Sequence, residues 1–274
     1  MAKTTSLMIE PDELESRLGD PDLIVVDLCK TEIYQAGHIP GAVHLDYGDI
    51  VEARPPVAGL LPDEAHMSAV LSGIGFADGK HIVAYDDEGG GKAARLLWTL
   101  AAFGLEGHGM LNGGLHAWSN EGHALDTQVT KPEATEYQAH YHGGVVADRD
   151  YIAARLGDEQ VLILDARTQP EYHGHDVRAS RGGRIPGALH FEWTRAMDRN
   201  RNLRIREEDE LRRELEALGV TPDKEIICYC QTHHRSAHTW ALLRHLGYTR
   251  VKGYPGAWSD WGNVPHLPLE QGPN

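Results

Sequence analysis

Short apolar runs along the chain alternate with stretches whose apolar residues have helical spacing. The runs have the composition of buried strands and occupy residues 23–28 (LIVVDL), 81–86 (HIVAYD), 161–166 (VLILDA) and 225–230 (EIICYC). Helical spacing occurs over residues 13–18, 65–74, 93–105, 151–156, 207–218 and 237–246. Alternating strands and helices predict an α/β fold in which parallel sheets have helices on both faces.

Four blocks of sequence occur twice and in the same order. The pairs are 23–28 with 161–166, 37–45 (GHIPGAVHL) with 183–191 (GRIPGALHF), 81–86 with 225–230, and 112–118 (NGGLHAW) with 252–258 (KGYPGAW). An internal repeat of two similar domains is the simplest interpretation. In each Ile-Pro-Gly-Ala block, proline fixes one dihedral and glycine permits a left-handed turn, so the block is expected to orient the next strand.

The boundary between the two repeats is predicted from a change in pattern. Residues 129–146 are polar and have no periodicity, so they are interpreted as a linker. The predicted domains are therefore residues 1–128 and 147–274.

Charge and cysteine content narrow the possible partners. The 26 basic and 41 acidic residues give a formal net charge of -15, which disfavours nucleic acid and anionic membranes. No apolar run approaches the roughly 20 residues of a membrane span, and the N-terminus lacks the apolar core of a secretory signal.

Three cysteines, an odd and low number, indicate a reducing compartment, so a cytoplasmic protein is expected. Cys29 and Cys228 are interpreted as small buried residues.

Cys230 is the strongest candidate for a catalytic nucleophile. It stands between a predicted strand and a predicted helix, where a loop directs backbone N–H groups and the positive end of the helix dipole at one point. A free cysteine has a pKa of about 8.5, so only a few per cent is thiolate at neutral pH. We expect the loop N–H groups and a nearby cation to lower this pKa and to hold an anionic substrate against the sulfur.

The length of the loop separates two kinds of cysteine chemistry. The loop reads Cys-Gln-Thr-His-His-Arg-Ser from Cys230 to Ser236. Four residues separate Cys230 from Arg235, one fewer than in the protein tyrosine phosphatase pattern. The loop resembles the active-site loop of bacterial two-domain rhodaneses, a family of sulfurtransferases. With Gly-x-Ile-Pro-Gly-Ala in both halves, the resemblance covers nearly the whole chain and implies two tandem rhodanese-like domains.

The resemblance implies a reaction and a set of site residues. The Cys230 thiolate would attack the outer, sulfane sulfur of thiosulfate, release sulfite and keep a persulfide, which cyanide or a cellular dithiol would remove. No cofactor is expected. Loop N–H groups would stabilise the persulfide, Arg235 would attract thiosulfate, and Ser236 would cap the following helix. The implied substrate-binding loop residues are Gln231, Thr232, His233, His234, Arg235 and Ser236.

Departures from the family pattern leave more than one function open. The vertebrate enzyme has a lysine and an arginine, which look like substrate ligands, where this chain has Thr232 and Glu171, so the substrate preference is in doubt. The loop lacks the Cys-Gly-[Ser/Ala]-Gly pattern of mercaptopyruvate sulfurtransferases, which disfavours mercaptopyruvate as donor without excluding it. A non-catalytic persulfide carrier and a cysteine-dependent phosphatase, which the short loop disfavours, are the remaining alternatives.

Each half also has an aspartate near the end of its first predicted strand. Asp165 is interpreted as a carboxylate that fastens a loop, or as an acceptor that holds the catalytic loop with Arg167 beside it. In the first half, Asp86 stands at the position of Cys230, and residues 86–92 (DDEGGGK) contain no thiol and no arginine. Only the second half is therefore predicted to be catalytic.

Seventeen histidines raise the question of a metal site. His233 and His234 are adjacent, so they cannot easily face one metal, and they are interpreted as shaping the mouth of the pocket. Asp86 and its acidic neighbours are a second candidate that diverging side chains disfavour, and no metal is expected. The segment 172–183 is longer than its counterpart in the first half. It is either a surface loop or a flank of the active cleft that contributes His175, Arg178 and Arg181.

Overall fold

Two parallel sheets, one in each half of the chain, form the framework of the computed structural model, which describes residues 7–273. In chain order the strands are β1 (Met8–Ile9), β2 (Leu23–Asp27), β3 (Val43–His44), β4 (Glu52–Arg54), β5 (Val57–Leu60), β6 (His81–Tyr85), β7 (Gly109–Leu111), β8 (Val161–Asp165), β9 (Leu189–His190), β10 (Met197–Asp198), β11 (Arg204–Ile205), β12 (Glu225–Tyr229) and β13 (Val251–Gly253). The helices are α1 (Pro11–Arg17), α2 (Thr31–Ala36), α3 (Glu64–Gly73), α4 (Gly91–Ala102), α5 (Gly114–Asn120), α6 (Arg149–Ala153), α7 (Gln169–His173), α8 (Glu208–Ala217), α9 (Arg235–His245) and α10 (Ala257–Trp261).

The two sheets share one strand order. The first has the order β1-β7-β6-β2-β3 and the second the order β13-β12-β8-β9, and neighbouring strands are parallel throughout. Strands β7-β6-β2-β3 therefore correspond one by one to β13-β12-β8-β9. The α/β fold class and the internal repeat predicted from the sequence are confirmed.

The aspartates predicted at strand ends fasten neighbouring strands together. In β2 and β8 every residue after the first is buried, as a parallel sheet flanked by helices requires. The strand register pairs Asp27 with Tyr85 and Asp165 with Tyr229. The Tyr85 hydroxyl donates to Asp27, and the Tyr229 hydroxyl donates to Asp165 at 2.5 Å. Each aspartate thus fixes the edge of the sheet from which the next loop emerges.

Residue contacts group the chain into two units with interleaved segments. The first unit contains residues 1–50, 62–143 and 197–205, and the second contains residues 51–61, 144–196 and 206–274. The hairpin β4–β5 therefore packs in the second unit, although its sequence lies in the first half. The hairpin β10–β11 packs in the first unit in the same way.

The stretch interpreted as a linker, residues 129–146, belongs mostly to the first unit. The backbone N–H of Thr135 donates to Ser72 O at 3.0 Å, and the N–H of His142 donates to Ala102 O at 3.0 Å. The first unit accordingly extends to residue 143. The contact units thus differ from the boundaries at 128 and 147, which were drawn from chain order and stay a prediction.

Each unit has its own hydrophobic core. Trp118 and Trp258, which occupy repeated positions, are fully buried in the cores of the first and second unit. Gly41 and Gly187 have φ of +79° and +71°, which is the left-handed turn expected of the two Ile-Pro-Gly-Ala blocks.

Gly59, in strand β5, lies against the loop that follows β12. Its φ is +74°, and a Cβ atom at this position would come within 2.0 Å of the carbonyl oxygen of Thr232. Ser259 joins the same two segments, since its hydroxyl accepts from Ala58 N at 3.0 Å and its N–H donates to Gln231 O at 3.0 Å. The hairpin β4–β5 is thus part of the support of the loop at Cys230.

We predict that Gly59→Ala destabilises the protein more than Gly187→Ala. Both changes place alanine in the left-handed region, at a cost of about 1–2 kcal/mol. No heavy atom lies within 4 Å of the Cβ position at Gly187, so only Gly59→Ala adds a clash, at a further cost of about 1–3 kcal/mol. Thermal and urea unfolding of both variants measure the difference, and equal stabilities would contradict the contact with Thr232.

Candidate active site

The loop after β12 turns sharply and leads directly into α9. Cys230, the first residue after the strand, is fully buried. His233 has φ of +53°, a left-handed conformation that reverses the chain within the short loop. Helix α9 begins at Arg235, and His234 is its N-cap residue. The prediction that Ser236 caps this helix is therefore wrong, because Ser236 lies inside the first turn.

The surroundings of the Cys230 sulfur favour its anionic form. Burial raises the pKa of the thiol, because a poorly solvated site disfavours charge. The Arg235 guanidinium, the Ser236 hydroxyl, and the backbone N–H groups of Ser236 and Thr232 outweigh burial, so the pKa of Cys230 lies below its ordinary value. The expected combination of loop N–H groups and a cation is present, and it favours the thiolate at the start of α9.

The Ser236 hydroxyl connects the Cys230 sulfur to the His233 ring. His233 Nδ1 lies 2.7 Å from Ser236 Oγ, and both side chains are buried. A serine hydroxyl has a single proton. When Ser236 donates this proton to the thiolate, it accepts from Nδ1, so Nδ1 is the protonated nitrogen in that state. His233 thus orients the hydroxyl towards the sulfur, a role that the sequence did not predict.

Arg235 is held by the carboxylate of Glu171. Nη1 donates to Oε2 at 2.6 Å and Nη2 donates to Oε1 at 2.8 Å, in a bidentate pair. Thr168 donates to the same carboxylate from its backbone N–H at 3.1 Å and from its hydroxyl at 2.9 Å. Burial opposes ionisation of Glu171, but Arg235 and Thr168 outweigh it and bring the pKa of this carboxyl to about 2. Glu171 is therefore ionised at neutral pH.

In the sequence, Glu171 is recognisable only as a departure from the vertebrate enzyme, and nothing there predicts its ion pair with Arg235. One local signal was available. Residues 168–171 read Thr-Gln-Pro-Glu, which matches the Ser/Thr-x-x-Glu pattern at the start of a helix. Helix α7 does begin at Gln169. The pattern could have indicated that the Glu171 side chain turns back towards Thr168, but not that Arg235 would meet it.

Asp165 and Arg167, the predicted supporting residues, form a buried ion pair. Arg167 Nη2 donates to Asp165 Oδ2 at 2.6 Å and to Gly183 O at 2.7 Å. The Arg167 guanidinium also lies 4.6 Å from the centre of the Trp258 ring. Asp165 acts on the loop through Tyr229, the residue before Cys230, whose hydroxyl proton it accepts in a hydrogen bond. Both interpretations of Asp165, loop fastening and support of the catalytic loop, agree with this geometry.

Other loop residues contact the segment 172–183 and the start of α10. Gln231 Nε2 donates to Arg178 O at 2.9 Å, and Cys230 O accepts from Trp258 N at 3.0 Å. The His234 ring lies 6.2 Å from the ring of Trp193. The structure thus brings residues 230–236 together with both predicted supporting residues.

Arg181, in the same segment, has a structural role. Its guanidinium donates to backbone carbonyl oxygens at and after the C-terminus of α10, namely those of Trp261, Val264, Pro265 and Leu267. Cations near a helix C-terminus compensate its unpaired carbonyl groups. Arg178 is the residue of the segment that approaches the site, with Nε 3.7 Å from Glu171 Oε1.

The counterpart loop of the first unit surrounds a carboxyl group, whose pKa burial and Glu88 raise. The carboxylate of Asp86 accepts backbone N–H groups from the residues that follow it, at distances of 2.8 to 3.0 Å, from Glu88, Gly90, Lys92 and Ala93. Lys92 Nζ donates to Asp87 Oδ1 at 2.8 Å. The N–H groups at the start of α4 are therefore used by a fixed carboxylate, which favours the prediction that the first half is not catalytic.

Cys29 and Cys228 are buried and unlinked, as predicted. Burial raises the pKa of both thiols, and the Asp27 carboxylate adds to the effect at Cys29. The pKa of Cys230 is therefore lowered, whereas the pKa values of the other two cysteines are raised.

Within the described part of the chain, no helix has the length and apolar character needed to cross a membrane.

Comparison with known proteins identifies relatives over nearly the whole length. The model of the Rhodanese-like domain family matches residues 10–121 and again residues 148–263. A thiosulfate sulfurtransferase of Pseudomonas aeruginosa is 46% identical over 264 residues, which cover 96% of this chain and 97% of the relative. A thiosulfate sulfurtransferase of Azotobacter vinelandii is 45% identical over the same shares of both chains.

A solved structure shows the same fold at lower sequence identity. The anaerobic ergothioneine biosynthesis enzyme from Chlorobium limicola, in complex with trimethyl histidine, has a TM-score of 0.86 and 23% identity, and the match covers 98% of this chain and 71% of that chain. At this identity the likeness concerns the fold alone.

We predict that Ser236→Ala raises the pKa of Cys230 by about 1–2 units, because a hydrogen bond to a charged group contributes about 1.5–3 kcal/mol. The thiolate fraction at a given pH falls accordingly. Ultraviolet absorbance of the thiolate during a pH titration, with Cys230→Ser as the blank, measures the shift. Ser180→Ala, at a serine outside the loop, is the control. An unchanged titration of Ser236→Ala would contradict the assigned hydrogen bond.

Proposed function

This chain belongs to the rhodanese family, and we propose that it is a thiosulfate sulfurtransferase in which Cys230 carries the sulfur as a persulfide. The observation that carries the proposal is a buried cysteine with a lowered pKa at the start of a helix, in the second of two rhodanese-like domains. The names of the two curated relatives support thiosulfate as the donor.

The first half-reaction forms the persulfide. The Cys230 thiolate attacks the sulfane sulfur of thiosulfate, the bond between the two sulfur atoms of thiosulfate breaks, and sulfite leaves with the electron pair of that bond. Arg235 and the N–H groups of Thr232 and Ser236, which favour the thiolate, are placed to stabilise the persulfide anion that replaces it. Because a thiolate becomes a persulfide anion, no proton is taken up or released.

The second half-reaction returns the thiolate. An acceptor such as cyanide attacks the outer sulfur, the sulfur–sulfur bond of the persulfide breaks, and thiocyanate leaves. In a cell a dithiol would take the place of cyanide. The net charge of -15 disfavours nucleic acid and membrane surfaces as partners, and three cysteines in the chain suit a reducing compartment, so we propose a cytoplasmic location.

The proposed residue roles follow from the same contacts. Cys230 is the nucleophile, and Arg235 and Ser236 favour its anionic form. His233 orients Ser236, whereas Asp165 and Arg167 fix the end of β12 from which the loop starts. Gln231 and His234 shape the loop through contacts with Arg178 and Trp193.

We predict double-displacement kinetics that depend on Cys230. Initial rates of thiocyanate formation at varied thiosulfate and cyanide should give parallel double-reciprocal lines, because sulfite leaves before cyanide reacts. Cys230→Ser should reduce kcat by about 10³-fold or more, as removal of a catalytic nucleophile does. Cys228→Ala, which removes a thiol two positions earlier in β12, should keep the activity. Intersecting lines, or full activity in Cys230→Ser, would contradict the mechanism.

A further inference from the structure

The cation of the proposed site is compensated by a buried carboxylate. Both terminal nitrogens of Arg235 donate to Glu171, at 2.6 and 2.8 Å, and the Glu171 side chain is fully buried while Arg235 keeps a small exposed fraction. An ion pair of this geometry has no net charge, although its cation contributes to holding the Cys230 thiolate. An approaching donor therefore meets a cation and an anion together.

Arg178, a second arginine near Glu171, does not give the site a net positive charge. Arg178 Nε lies 3.7 Å from Glu171 Oε1, but its Nη2 donates to Asp176 Oδ2 at 2.8 Å. These four side chains, two arginines and two acids, sum to zero charge. The whole chain has a formal net charge of -15, so the longer-range field also repels anions.

Because these four side chains have no net charge, the site is expected to discriminate between sulfur donors by the charge of the donor. Thiosulfate carries two negative charges, whereas an organic thiosulfonate, R–SO2–S⁻, carries one and presents the same sulfane sulfur. We propose that Glu171 is a specificity-determining residue, which limits attraction of doubly charged donors and so favours sulfane-sulfur donors with a single negative charge. This inference rests on the proposed function.

A singly charged donor would react with Cys230 by the same displacement as thiosulfate. The Cys230 thiolate attacks the sulfane sulfur of R–SO2–S⁻, the sulfur–sulfur bond breaks, and the sulfinate R–SO2⁻ leaves with the electron pair. The Cys230 persulfide is the same in both cases. The two donors therefore differ at the site in charge and in the group attached to the sulfonyl sulfur.

The test compares thiosulfate with methanethiosulfonate in wild type and in Glu171→Gln. Loss of one negative charge at about 6 Å should raise kcat/KM about tenfold for the dianion and about threefold for the monoanion, because the Coulomb energy doubles with the donor charge. The ratio of the two kcat/KM values should then rise about threefold. Glu171→Asp keeps the charge and should keep the wild-type ratio, whatever its absolute rate.

Glu159, at the N-terminal end of the strands, is a matched control for the loss of one negative charge. Glu159 is exposed and precedes the N-terminal end of β8, whereas Cys230 follows the C-terminal end of β12. Glu159→Gln removes the same charge and should leave the donor ratio unchanged. A ratio raised equally in Glu159→Gln and Glu171→Gln would overturn a local role of Glu171.

Two further readouts do not depend on activity of the Gln variant. Without Glu171 the charge of Arg235 is uncompensated, so the pKa of Cys230 should fall further in Glu171→Gln, as measured by thiolate absorbance. In wild type, sulfate and methanesulfonate should inhibit with Ki values within about threefold of each other, whereas a larger preference for the dianion would overturn the inference.

The failure of this inference is distinct from the failure of the proposed function. Wild type without Cys230-dependent turnover of thiosulfate would refute the function, and the thiolate pKa would still test the effect of Glu171. Active wild type, with both donors reduced in the same proportion in Glu171→Gln, would show that Glu171 only orients Arg235, and would overturn the inference.

Discussion

A buried acidic group at the start of a helix is the constraint on which both halves of this protein depend. An isolated anion in the interior costs several kcal/mol unless hydrogen bonds and charges replace its water. In the first unit, the Asp86 carboxyl group accepts backbone N–H groups around α4, which oppose the rise that burial and Glu88 cause in its pKa. In the second, the Cys230 sulfur occupies the corresponding position before α9, and the same type of loop supports it.

The two acidic groups need different surroundings to become anions. A carboxylate spreads its charge over two oxygens, each of which accepts several N–H groups, whereas a thiolate offers one sulfur. The second unit adds a guanidinium, Arg235, and a buried guanidinium needs a partner of its own. Glu171 supplies it, and Thr168 in turn satisfies Glu171. The result is a row of alternating charges from the sulfur to the start of α7, so that a change at one member alters the others.

The sequence predicted the framework because local pattern determines it. The strand-like runs ending at Asp27 and Asp165, the repeated blocks and the cysteine loop are each encoded within a few neighbouring residues. The start of α9 was misjudged because the left-handed turn at His233 brings Ser236 inside the helix instead of before it. Neither the His233–Ser236 contact nor that turn has a signal in residue spacing.

Features that join distant parts of the chain could not be predicted from a single sequence. The Arg235–Glu171 pair depends on how α7 lies beside the Cys230 loop, and 64 positions separate the two residues. The packing of β4–β5 in the second unit likewise depends on contacts such as that of Gly59 with Thr232. Local pattern therefore located the nucleophile and its neighbouring cation Arg235, whereas a tertiary contact supplied Glu171, which compensates that cation.

Intact-mass measurement determines whether Cys230 carries the transferred sulfur. Protein incubated with thiosulfate should gain the mass of one sulfur atom, and addition of cyanide should return the original mass with release of thiocyanate. Cys230→Ser should gain nothing under the same conditions. No gain in wild type, or an equal gain in Cys230→Ser, would contradict the account.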